Sequence, residues 1–120
     1  MANPNLLEAT SCLAKHTMSL VSTSTLPMGS VLTNTASSNK VYKIVSLYAC
    51  NTTASSITLE MQVDNPGIER TLVHELTIPA NATVVIITKE APIILLESHA
   101  LQAASSANGI HLNIAYEEYS

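Results

Sequence analysis

The sequence predicts an all-β fold, an antiparallel β-sandwich of jelly-roll-like order with an extended N-terminal arm. Three observations predict it. Ile57, Leu59, Met61 and Val63 alternate with Thr58, Glu60 and Gln62, the two-residue period of a half-buried strand. Turn formers recur at intervals of about 8–12 residues, the rhythm of a sandwich of about eight or nine short strands. No window of useful length carries the 3.6-residue apolar spacing of an amphipathic helix, and Ser, Thr and β-branched residues dominate throughout.

Taken in order, residues 1–12 form the arm, and residues 13–120 form a single domain with one core. Early strands are expected around Met18 to Thr23, Val31 to Thr35 and Val41 to Cys50. The alternating strand at Ile57 runs into Asp64-Asn65-Pro66-Gly67 and then into Arg70 to Ile78, where Leu72, His74, Leu76 and Ile78 share a parity. These residues predict a hairpin with a loop of several residues. Thr83 to Thr88 and Ile93 to Leu96 are further strands, separated by Lys89-Glu90-Ala91-Pro92, where Pro92 bars a helix. Asn108-Gly109 is a hairpin-turn dipeptide between Leu101-Ala103 and Ile110, Leu112, Ile114 and Tyr116.

Two segments are apolar on both faces. In Val41 to Cys50, Val41, Val45, Leu47 and Ala49 share one parity, while Tyr42, Ile44 and Tyr48 share the other. Val84-Val85-Ile86-Ile87 and Ile93-Ile94-Leu95-Leu96 are continuous runs. A sandwich covers only the inner face of each sheet, so such strands predict a covering partner, either a second subunit or the chain's own arm through Leu6 and Leu7. Burying an aliphatic side chain is worth about 1.5–3 kcal/mol, which makes cover worthwhile. The interface residues expected on this argument are Leu6, Leu7, Tyr42, Ile44, Tyr48, Val85, Ile87, Ile93 and Leu95. The Val84 to Thr88 stretch is also aggregation-prone, with Lys89, Glu90 and Pro92 as gatekeepers beside it.

Charged residues make up 12% of the chain and apolar residues 47%, a composition unlike that of disordered segments. No apolar run reaches the roughly 18 residues of a membrane span, and the N-terminus lacks the pattern of a secretory signal. The net charge of −4, with five scattered basic residues, argues against nucleic acid as a ligand. Cys12 and Cys50 are expected as free thiols.

Several stretches, "MANPNLLEAT", "SSNKVYKIVSLYACN", "LTIPANATVVIITKEAPIILLE" and "IAYEEYS", resemble a group of small virion structural proteins of tailed bacteriophages, particularly those of marine cyanobacteria. None of these stretches is a catalytic motif; the likeness rests on the order and spacing of strands and turns. The resemblance implies a β-sandwich component of the particle, at the head surface or at the neck and tail connection.

Catalytic and ligand motifs are sparse. Gly29, Gly67 and Gly109 do not cluster as a phosphate loop requires. His16, His74, His99 and His111 have no close metal-ligand spacing, so a metal site would need distant strands to converge. His74, on the parity of Leu72 and Leu76, reads as a hydrogen-bonded core or interface residue rather than a ligand. Nothing orients Cys50 towards a histidine, and Glu60, Glu69, Glu75, Glu90 and Glu97 read as solvated surface charge. Glu117-Glu118 keeps a terminal strand soluble or meets a basic patch on a neighbour. The sequons at Asn51 and Asn81 are chance matches in a Thr-rich chain.

The sequence thus predicts a non-catalytic virion structural protein, made in the host cytoplasm and carried in the particle as capsid decoration or as part of the neck. It is expected to need no cofactor and no metal, and to contact neither nucleic acid nor membrane. Its expected partners are copies of itself, as a homo-oligomer, and capsid, portal or tail components. The alternative is a receptor- or carbohydrate-binding module displayed on the virion through loops such as Asn51 to Ser56 or Ser105 to Gly109. That reading is weakened by the absence of Trp and Phe.

Overall fold

The computed structural model describes residues 11–21 and 29–120. Nine strands are present among them: β1 (Cys12–Val21), β2 (Gly29–Thr33), β3 (Val41–Asn51), β4 (Ile57–Asn65), β5 (Ile68–Ile78), β6 (Thr83–Ile87), β7 (Ile93–Leu95), β8 (Ala100–Ser105) and β9 (Ile110–Tyr119). They form two antiparallel sheets packed face to face, a β-sandwich. Sheet A has the order β1-β9-β3-β6, with β7 also paired to β3; sheet B has the order β2-β8-β4-β5.

The pairing is nested. β4 pairs with β5, β3 with β6 and β7, β2 with β8, and β1 with β9, all antiparallel. This is one long hairpin, folded at its middle and rolled so that successive rungs fall in alternate sheets. β6 and β7 lie end to end along β3, opposite Leu47–Cys50 and Tyr42–Ile44 respectively. They are two halves of one edge strand, broken by the corner that contains Pro92.

Buried apolar residues from both sheets meet between them: Ile44, Leu47 and Ala49 of β3 and Ile110, Leu112 and Ile114 of β9 face Leu59 and Met61 of β4 and Leu101 of β8. The doubly apolar strands follow from bulges. Opposite β9, β3 carries one extra residue at Val45, so Ile44 faces inward before it and Leu47 and Ala49 face inward after it. Opposite β3, β6 carries an extra residue at Ile86, so both Val84 and Ile87 turn toward the core. A bulge shifts the side-chain alternation by one. The bulges therefore turn part of each run inside, Ile44, Leu47, Val84 and Ile87 among them, while Tyr48, Val85 and Ile94 stay exposed.

Two turn expectations are also corrected. Asn65 pairs directly with Ile68, so the β4–β5 loop is the two-residue turn Pro66-Gly67 rather than a loop of several residues. Gly67 has φ +84°, which suits the third position of a turn with proline before it. Asn108-Gly109 does not close a hairpin, because β8 belongs to sheet B and β9 to sheet A. The segment crosses the sandwich instead. Ser106 N–H donates to Thr58 on one side, while Gly109 C=O accepts from Thr52 N–H on the other. Gly109 sits at φ +125°, and a Cβ there would collide with the Thr53 methyl.

Two fully buried asparagines latch the ends of β3. Asn51 Nδ2 donates to Ser55 O (2.8 Å) and Ile78 O (3.0 Å), and its Oδ1 accepts from the N–H and hydroxyl of Thr53. At the other end Asn34 Nδ2 donates to Lys40 O and Leu95 O, and its Oδ1 accepts from Ser38. Every polar group of these side chains is satisfied, which is what makes their burial tolerable.

Of the arm expected over residues 1–12, Ser11 exchanges two backbone hydrogen bonds with Ser120 and Cys12 begins β1; the remainder lies outside the described residues. Glu118, expected as a solubilising terminal charge, is instead buried and pairs within its own chain with Lys40 Nζ (2.8 Å) and Lys15 Nζ (3.0 Å). The lysines, Lys40 first, hold its carboxyl below the ordinary glutamate value of 4.5, against the opposing effect of burial.

Two outcomes follow. Asn51→Ala strands backbone groups around Ser55, Ile78 and Thr53 and should cost about 3 kcal/mol in a urea titration. Because the folded-state pKa of Glu118 is depressed, its contribution is present above pH 4.5 and lost as pH falls through the lower folded value. Glu118→Gln should flatten the stability profile over that acidic range, measured by thermal unfolding against pH.

Candidate functional site

The outer faces of the two sheets differ. On sheet A, the residues alternating with buried Ile110, Leu112 and Ile114 point outward, and the register aligns them in rows. Leu20, His111, Cys50 and Thr83 cross one row; Met18, Asn113, Tyr48 and Val85 cross the next. Neither row contains a charged residue. Met18 is 74% exposed, Leu20 66%, Val85 52% and Tyr48 43%. Beside them an open depression of about 280 Å³ is lined by Met18, Leu20, His111 and Asn113. Met18 and Leu20 form one exposed apolar pair and Tyr48 and Val85 another, flanking His111 and Asn113, and apolar residues clustered in this way mark a contact surface more often than single scattered ones do.

The nine expected interface residues separate accordingly. Tyr48 and Val85 are neighbours on this outer face. Ile44, Ile87 and Leu95 are core residues, a correction that follows from the bulges and from the antiparallel register of β7 with β3. Tyr42 and Ile93 are half-buried against the core, and the Tyr42 ring lies 5.1 Å from that of Tyr116. Leu6 and Leu7 lie outside the described residues. Met18 and Leu20 were missed, although their shared parity in Met18-Ser19-Leu20 was the signal. Ile94, also exposed, sits opposite Lys43 on the same face.

The outer face of sheet B is polar and acidic. Gln62 Nε2 donates to Glu69 Oε2 (2.8 Å) and Gln102 Oε1 (2.7 Å), a ladder across three strands. Further along, Glu60, His74 and Glu75 stand together, with His74 Nδ1 3.4 Å from Glu60 and Nε2 3.8 Å from Glu75. The placement of His74 with Leu72 and Leu76 on one strand face is corrected by two bulges in β5: Leu72 and Val73 both pack on the core, while His74 is exposed.

The loops considered for sugar binding spend hydroxyl groups internally. Thr52 Oγ1 donates to Gly109 O, the Thr53 hydroxyl to Asn51 Oδ1, and Ser105 Oγ to Ala107 O. Cys12 and Cys50 are free thiols. No helix of the described residues is long and apolar enough to cross a membrane.

No family model matches the chain, and no curated protein or solved structure is significantly similar to it.

Val85 and Ile87, set on opposite faces by the extra residue at Ile86, make opposite predictions. Val85→Asp should keep the fold and change stability by no more than about 1 kcal/mol. Ile87→Asp places an unpaired carboxylate in the core and should cost more than about 4 kcal/mol. Circular dichroism and urea unfolding of the two proteins separate these outcomes.

Proposed function

We propose that the chain is a non-catalytic structural subunit of a virus particle, that of a tailed bacteriophage, which docks on neighbouring virion proteins through the outer face of sheet A. The observation that carries this reading is the pair of uncharged rows with Met18, Leu20, Tyr48 and Val85 exposed. Rows without charge can be desolvated against a partner without stranding an ion. The nested pairing supports a jelly roll once β6 and β7 are counted as one strand, and that architecture recurs in viral capsid domains. The likeness of its strand-and-turn stretches to small phage structural proteins points the same way. On this reading the protein is made in the host cytoplasm, carried in the virion, and packed against its own copies and against capsid, portal or tail proteins.

Quantitative mass spectrometry of purified particles tests the proposal. Abundance proportional to the capsid protein is expected of a decoration subunit and abundance proportional to the portal of a neck component; absence from particles overturns the reading. Met18→Asp should leave the isolated protein folded and reduce its incorporation into particles by at least about tenfold, equivalent to about 1.4 kcal/mol of docking energy.

A further inference from the structure

The geometry points to a site for a divalent first-row transition metal ion, zinc foremost, on the outer face of sheet B, held by Glu60, His74 and Glu75. His74 and Glu75 are adjacent in sequence, so on a regular strand they would point to opposite faces. The register prevents this: Leu59 pairs with Leu76 and Met61 with Val73, so the single residue Glu60 stands opposite both His74 and Glu75. Glu75 takes φ +49°, a backbone conformation uncommon for a side chain of its size. Bulges of this kind re-aim side chains and gather beside functional sites.

One donor atom from each of the three residues lies within 4.8 Å of the others. The 3.4 Å between His74 Nδ1 and Glu60 Oε1 is close to the edge of a tetrahedron drawn around zinc with bonds of about 2.0–2.1 Å. Glu75 Oε2 lies 3.8 Å from the other ring nitrogen, so an ion bound at Nδ1 beside Glu60 requires the exposed Glu75 side chain to turn toward it. Three protein ligands with a fourth position left to water is the donor count of an open zinc site. Space for that water adjoins the cluster: a depression of about 220 Å³ is lined by Glu60, Glu75, Thr58, Ser105 and Ser106.

The donor set selects the ion class. An imidazole nitrogen beside two carboxylates favours zinc and its neighbours, whereas calcium and magnesium prefer all-oxygen sites. Among the described residues the two carboxylates have no lysine or arginine partner and share the one imidazole. A cation there neutralises charge that the protein leaves in excess. The site is independent of the docking face on sheet A, and neither stands or falls with the other.

Isothermal titration of the full chain with zinc chloride at neutral pH tests the site. Saturable one-to-one binding in the micromolar range is expected, weakened at least about tenfold in His74→Ala and in Glu75→Gly and unchanged in His111→Ala. Glu75→Gly removes the carboxylate while accepting the positive φ, so its loss of binding reports the ligand and not the fold. Cobalt in place of zinc should give the visible absorption of a four-coordinate ion, absent in His74→Ala. Heats no greater than dilution, affinity unchanged in His74→Ala or Glu75→Gly, or binding abolished in His111→Ala would each overturn the assignment.

Discussion

Side chains on a strand alternate between two faces, and the rest of this structure depends on the places where one strand carries a residue its neighbour lacks. The extra residues at Val45 and Ile86 let β3 and β6 fill the interior from both parities. The extra residues on β5 turn Leu72 and Val73 inward together and bring His74 and Glu75 into reach of Glu60. An unbroken alternation would have left Ile44 or Leu47 in water and split the cluster on sheet B.

That dependence explains what was legible in the sequence. The Ile57-to-Val63 alternation and the turn formers from Asp64 to Gly67 are local, and each has a compositional mark, so the strands and the sandwich could be read directly, although the length of that turn could not. A bulge has no such mark. It is a relation between two strands distant in the chain, and the continuous run Val84-Val85-Ile86-Ile87 looked the same as a strand covered by a partner. The crossing at Asn108-Gly109 was opaque for a related reason: the dipeptide supplies a positive φ, and either a hairpin or a corner can use it. Asn51 was legible only as part of a sequon, because its role lies in contacts to residues as far away as Ile78.

The candidate sites divide along the same line. Met18 and Leu20 share a simple parity on β1, so they could have been found by extending to that strand the reading applied to β3. Glu60, His74 and Glu75 could not, since their convergence is a product of register alone. The polar latches at Asn34 and Asn51 and the ion pairs of Glu118 belong to neither face. They hold the ends of the sheets, and the outer faces between them differ in character, one carrying the uncharged rows and the other acidic.

The nested pairing also sets an order of events for a chain leaving the ribosome. β9 is made after every other strand described here, so β1 has no partner until β9 emerges. β4 and β5 are joined by two residues and can pair as soon as both emerge. Each rung formed around them shortens the loop that the next must close, and loop closure costs only about 0.6 kcal/mol more per doubling of length. The fold can therefore zip from its centre toward its termini, while Met18 and Leu20 wait on a strand that has no partner yet. Until then the apolar residues of β1 are available to any neighbouring chain, and the risk of mispairing is greatest before β9 has joined it.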